Sequence, residues 1–168
     1  MGGPSRRRPR TRLTLEKSTR HAKITGDFGE ALVLYWLSRS GFECARVDHT
    51  GIDLIAKRPR SDERLGISVK SRSRAPGTEA TSVNIGHPGD LAKVVAACDA
   101  FRCVPYFAIV VDAAPRMSVF LLSMERLVRL YPARTGLISW SMTPNRVKQY
   151  LADSFIRSLQ FVIQSENW

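Results

Sequence analysis

The stretch 49–74, HTGIDLIAKRPRSDERLGISVKSRSR, decides how this chain is read. Residues 51–56 form a short apolar run broken by one acid, Asp53, and residues 65–71 form a second run with Lys70 near its end. The segment between them, RPRSDER, is charged and contains proline, the composition of a hairpin loop. Two antiparallel strands joined in this way bring an acid and a lysine close together, each beside apolar neighbours.

Working outward, the segment before this hairpin has helical spacing. GDFGE (26–30) leads into ALVLYWLSRSG, where Phe28, Leu32, Tyr35 and Trp36 recur on one side. Thr25 is the expected N-cap and Gly41 the expected residue after the helix end. Asp27 and Glu30 lie three apart near the expected helix start, where the macrodipole alone accounts for acids. FECARV (42–47) alternates as a strand, so three strands run in sequence over 42–47, 51–57 and 65–71.

After the hairpin, residues 72–88 read as a polar loop or lid. Asp90 is placed to cap a helix over 91–102. The run PYFAIVV (105–111) has the near-continuous apolarity of a strand buried on both faces. MSVFLL (117–122) is a further strand, and Ser123 caps a helix to residue 130. A short strand fits 137–142. Thr143-Pro144 then opens a C-terminal helix running to about residue 162.

The 168 residues suffice for one domain with a single core, preceded by a basic arm over 1–24. The net charge of +11 is uneven: Arg6, Arg7, Arg8, Arg10, Arg12, Lys17, Arg20 and Lys23 stand against Glu16 alone in the first 25 residues. Such an arm suits a polyanion, and equally has the composition of a solubilising tail that does not fold alone. Cys44, Cys98 and Cys103 form no CxxC pair and read as reduced core thiols. With no secretory leader and no apolar run of membrane-spanning length, a cytoplasmic protein is expected.

The element order α-β-β-β-α-β-β and the segments GDFGEALVLYWLSRSGFECARV, GIDLIA, ISVKSRSR and DAFRCVPYFAIVV together resemble the PD-(D/E)XK nuclease superfamily, in particular archaeal Holliday junction resolvase-like members. The resemblance spans residues 25–122. It implies an α/β restriction-endonuclease-like fold, a central mixed sheet flanked by helices, with residues 123–168 as a C-terminal helical extension of the single domain 25–168. It further implies a Mg²⁺- or Mn²⁺-dependent deoxyribonuclease. In that family Asp53 would be the principal metal ligand, Glu30 a second acid, the Val69 backbone carbonyl a third ligand, and Lys70 the group that orients the attacking water.

The chain departs from the family pattern at Ser68, where the pattern has Glu, Asp or Gln two residues before the lysine. Either Glu30 supplies the missing carboxylate, or an acid such as Asp48 or Glu79 moves in, or the fold is kept as a non-catalytic nucleic-acid-binding or interaction module. Lys70, Arg72 and Arg74 share one face of an extended strand and form an expected phosphate track, or else protect a solvated edge strand. DNA is the expected partner, although charge alone does not separate it from RNA. His49 adjoins the acid strand, where it either contacts a metal or phosphate or, more commonly for a lone histidine, is only a turn residue; His87 is given no functional role, Trp36 and Phe107 are expected in the core, and Trp140 and Trp168 near the surface. The apolar stripe of the C-terminal helix either closes the core or makes a homodimer.

Overall fold

Strand β3 (Arg64–Ser73) is the axis on which the molecule is built. In the computed structural model, which describes residues 16–132 and 136–163, it pairs antiparallel with β2 (Ile52–Lys57) and parallel with β5 (Val104–Ala113). The antiparallel partner follows directly from the hairpin. The parallel partner requires a crossover, supplied by β4 (Val83–Gly86) and α2 (Pro88–Phe101). With β1 (Glu43–His49) outside β2, and β6 (Arg116–Ser123) and β8 (Arg157–Val162) beyond β5, the main sheet runs β1-β2-β3-β5-β6-β8. A two-stranded sheet pairs β4 with β7 (Ile138–Trp140). The arginines at 6, 7, 8, 10 and 12, and Trp168, lie outside the described residues.

Each face of the main sheet carries its own core. On one, Val33 and Leu37 of α1 (His21–Arg39) pack on Leu54, Ile67, Val110 and Leu121. On the other, Leu91, Val94 and Ala97 of α2 meet Phe107 and Ile109, with Trp140 and Tyr150 nearby. Burial on both faces is why β5 reads as an unbroken apolar run. Phe107 is in the α2-side core, and Trp36 packs partly buried against the α1-side core.

Several boundaries differ from the expectations, each for a local reason. Helix α1 starts at His21 with Arg20 at the cap position, and Thr25 lies inside it, its hydroxyl donating to the His21 carbonyl at 2.8 Å. Asp27 and Glu30 are therefore past the first turn, out of reach of the dipole argument. Residues 72–88 contain the end of β3 and all of β4 rather than loop alone. Asp90 is the third residue of α2 rather than its cap; its Oδ2 accepts the His87 N–H at 3.1 Å. Ser123 does cap α3 (Met124–Leu130), accepting the Arg126 N–H at 3.1 Å. Trp140 is fully buried and stacked on Tyr150 with ring centroids 3.8 Å apart, because β7 is folded over the α2-side core.

The C-terminal helix, α4 (Pro144–Ala152), ends ten residues short of the expected end at residue 162. Asp153 turns the chain. Its Oδ1 accepts the Phe155 N–H at 2.9 Å, while its Oδ2 accepts Arg126 Nε at 2.8 Å and Nη2 at 2.6 Å. The remaining residues continue as β8, antiparallel to β6, so the extension is helix and strand and its apolar residues form no single stripe.

Candidate active site

Asp53, Ser68, Lys70 and Arg72 line one wall of an open cleft of about 380 Å³. Their convergence follows from the register: Leu54 pairs with Ile67 in the β2–β3 ladder, and on β3 the side chains at 68, 70 and 72 alternate with Ile67 and Ser71 of the α1-side face. Gly51, at φ +112°, closes the base of the cleft. A Cβ there would lie 2.5 Å from the Lys93 carbonyl oxygen, so the glycine lets the backbone of α2 lie directly against the start of the acid strand.

The carboxyl of Asp53 is raised above the usual aspartate range. Burial is the main cause, and the neighbouring charge of Glu30 adds to it. The Val69 N–H, donating to Asp53 Oδ2 at 2.6 Å, works against the rise, as do Lys70 and Arg46. Lys70 is thus near enough to stabilise charge on Asp53, and Glu30 near enough to oppose it. The Val69 backbone meets Asp53 through its N–H, and its side chain packs toward the α1-side core.

Glu30 reaches this region from the far side of the sheet, since α1 packs on the face opposite the cleft. It does not line the cleft, and its Oε2 accepts Arg46 Nη2 at 2.6 Å. That pairing holds the Arg46 guanidinium above its ordinary range. Asp27 is paired instead with Lys23 at 2.7 Å on the exposed side of α1. Ser68 is 2% exposed and contributes a neutral hydroxyl to the cleft beside Asp53.

The arginines of the expected track diverge. Arg72 lines the cleft, its Nη1 donating to the Ser71 carbonyl at 2.7 Å. Arg74 turns away, donating through Nη2 to the Thr81 and Ser82 carbonyls at 3.0 and 2.6 Å, and so ties down the loop after β3. β3 is an interior strand only over its first half: the β2 ladder ends at Ile67, and from Ser68 to Ser73 the strand pairs with β5 alone. His49 is exposed beside the turn, its ring edge-on to Phe101 at 5.2 Å, and neither it nor Asp48 nor Glu79 lines the cleft.

The opposite wall was not singled out from sequence. It consists of Asn84 to His87 of the β4 end, with Asp90, Lys93 and Val94 of α2. Asn84 and Lys93 carry no local motif, and they face Asp53 only because α2 crosses over the sheet. Lys93 Nζ donates to Asp90 Oδ1 at 3.1 Å. This ion pair and the His87 N–H hold the Asp90 carboxyl below its usual range, the backbone hydrogen bond contributing most.

Among the described residues, no three His, Cys, Asp or Glu side chains are grouped so as to hold a metal ion. The donors present are Asp53, with one oxygen taken by Val69 N–H, and Glu30, engaged by Arg46. Mg²⁺ is commonly held by one or two carboxylates, several waters and a substrate phosphate rather than by a protein cage. The donor set fits that kind of site and no denser one.

No protein-family model matches the chain, and no curated protein matches it. Among solved structures it is similar to Hjc, a Holliday junction resolvase from the archaeal hyperthermophile Archaeoglobus fulgidus. The TM-score is 0.53 and the identity 18%, over 74% of this chain and 88% of that one. Together with the six-stranded mixed sheet flanked by helices, this likeness shows that the chain has the restriction-endonuclease-like fold of the resolvase.

Proposed function

We propose that this protein is a metal-dependent endonuclease acting on DNA. The observation that carries the reading is the meeting of Asp53, Ser68 and Lys70 on one wall of a polar cleft, with Glu30 close enough to raise the Asp53 carboxyl. A carboxylate and a lysine on paired strands are the groups that phosphodiester hydrolysis needs. Asp53 would hold a Mg²⁺ or Mn²⁺ ion, with Glu30 as the second acid and Val69 contributing its backbone. When bound, the ion supplies charge neutralisation at the phosphate and a more acidic water. Lys70 orients that water and stabilises negative charge developing on the phosphate. Arg72, at the cleft, steers the backbone of the DNA, and the arginine-rich segment 6–12 adds sequence-independent attraction.

Ser68 supports a second reading, a DNA-binding module that retains the fold without cleavage. It replaces a charged ligand with a buried hydroxyl, and Glu30 is already partnered by Arg46.

The test is a cleavage assay on plasmid, linear duplex, single-stranded and four-way-junction DNA with Mg²⁺ or Mn²⁺. Asp53→Ala and Lys70→Ala run beside the wild type. Cutting lost in both variants is the expected result, and the preferred substrate then identifies the DNA form. Salt-sensitive binding without cutting in all three proteins would establish the module instead.

A further inference from the structure

We infer that the wall opposite Asp53 is a second backbone-binding surface, in which Lys93, with Asn84 beside it, grips a nucleic-acid strand from the side facing Lys70 and Arg72. The inference rests on the nucleic-acid reading above and adds to it the way the strand is held, threaded between β3 and α2 rather than laid on one basic face.

The argument begins with placement. Lys70 and Arg72 stand on the β3 wall and Lys93 on the α2 wall, with Asn84 exposed on the same side. A strand of phosphodiesters entering the cleft therefore meets cations on both sides and an amide able to donate and accept hydrogen bonds. The wall is also built to stay where it is. Gly51 brings the Lys93 backbone against β2, and Gly86, at φ +149°, brings β4 against α2, since a Cβ there would lie 2.9 Å from Asp90 Cβ. β4 is in turn held by β7, Asn84 pairing with Ser139.

Lys93 is poised rather than locked. Its partner Asp90 lies three residues earlier on the helix, and their side chains are 48% and 58% exposed. Exposed pairs of this kind contribute little, so a phosphate displaces Asp90 from the ammonium readily. The Asp90 carboxylate keeps the His87 N–H when it does so.

The experiment measures fluorescence anisotropy of a labelled single-stranded DNA oligonucleotide with the full chain and a chelator present, between about 50 and 200 mM salt. Lys93→Gln is expected to weaken binding roughly five- to tenfold, the scale of one charge-assisted contact, and to reduce the log–log salt slope by about 0.7–1. Lys93→Arg keeps near wild-type affinity, and Lys148→Gln, on exposed α4, keeps both affinity and slope. Wild-type affinity and slope in Lys93→Gln would overturn the inference, as would equal losses in Lys148→Gln. So would equal losses in Lys93→Gln and Lys93→Arg, since helix packing rather than charge would then be responsible. A wild type with no salt-sensitive binding would instead remove the nucleic-acid reading itself.

Discussion

A Cβ built on Gly29 would lie 1.8 Å from Ser71 Oγ and 2.9 Å from Ser71 Cβ. Helix α1 thus touches β3 through its backbone, directly behind the strand that carries Lys70 and one residue before Glu30. Alanine is the better helix former by about 1 kcal/mol, yet Gly29→Ala is expected to lower stability by about 1–3 kcal/mol, because the helix must lift off the sheet. Ser71→Ala relieves part of this, since its Cβ stays in the way, and Ser71→Gly relieves more. Urea unfolding of the single and double variants gives the coupling energy; additive effects would contradict the contact.

Asp53 is expected to destabilise the protein in its ionised form. Its carboxyl is raised by burial and by Glu30, so the folded state disfavours the charge at neutral pH, and this cost disappears as pH falls through the raised value. Asp53→Asn, whose amide oxygen still accepts the Val69 N–H, should therefore melt higher than wild type at neutral pH. The advantage shrinks as the pH is lowered toward the ordinary aspartate range, where wild-type Asp53 takes up a proton. A constant difference across that range would contradict the assignment.

Glu30 and Arg46 should shift metal dependence in opposite directions. Arg46 occupies Glu30 at 2.6 Å and competes with any cation for it. If the protein cleaves DNA as proposed, Glu30→Gln raises the Mn²⁺ concentration needed for half-maximal cutting by roughly tenfold or more, on the scale of other ligand-shell substitutions. Arg46→Gln lowers it. Titration of Mn²⁺ against cleavage rate reads both, and a shift in the same direction in both variants would mean the pair is structural.

Cys98 should resist alkylation. Burial, with smaller contributions from Cys103 and Asp99, pushes its thiol up to about 11, leaving very little thiolate at neutral pH. Cys44 and Cys103, also raised but partly accessible, should be labelled by iodoacetamide first, as read by peptide mass spectrometry. Early labelling of Cys98 in folded protein would contradict its burial.

The parts of the fold legible in the sequence are those fixed by neighbouring residues. The β2–β3 hairpin follows from alternating apolar runs and a charged loop, and β5 follows from an apolar run that only a strand covered on both faces carries. The Ser123 cap and the Thr143-Pro144 helix start are equally local. The C-terminal end is not legible locally, because Tyr150, Leu151, Phe155, Leu159 and Val162 satisfy a helical spacing, whereas the break depends on Arg126, far away in sequence, capturing Asp153. The same division runs through the site. Asp53, Ser68 and Lys70 share a hairpin and could be placed together, and Glu30 could be proposed only by resemblance. Its partner Arg46 and the wall carrying Asn84 and Lys93 depend on packing across the sheet, which no local pattern announces.

The pairing of β4 with β7 joins residues 83–86 to residues 138–140. The acid strand and the lysine strand meet through a local hairpin. The β4 part of the wall facing them is not local, because its strand pairs with one more than fifty residues later. A chain shortened to end before Ile138 would keep the α2 side of the cleft, set by Gly51, and lose the partner that holds Asn84 and its neighbours in β4. The β4 side of the cleft is thereby tied to residues 138–140, far along the chain from the hairpin it faces.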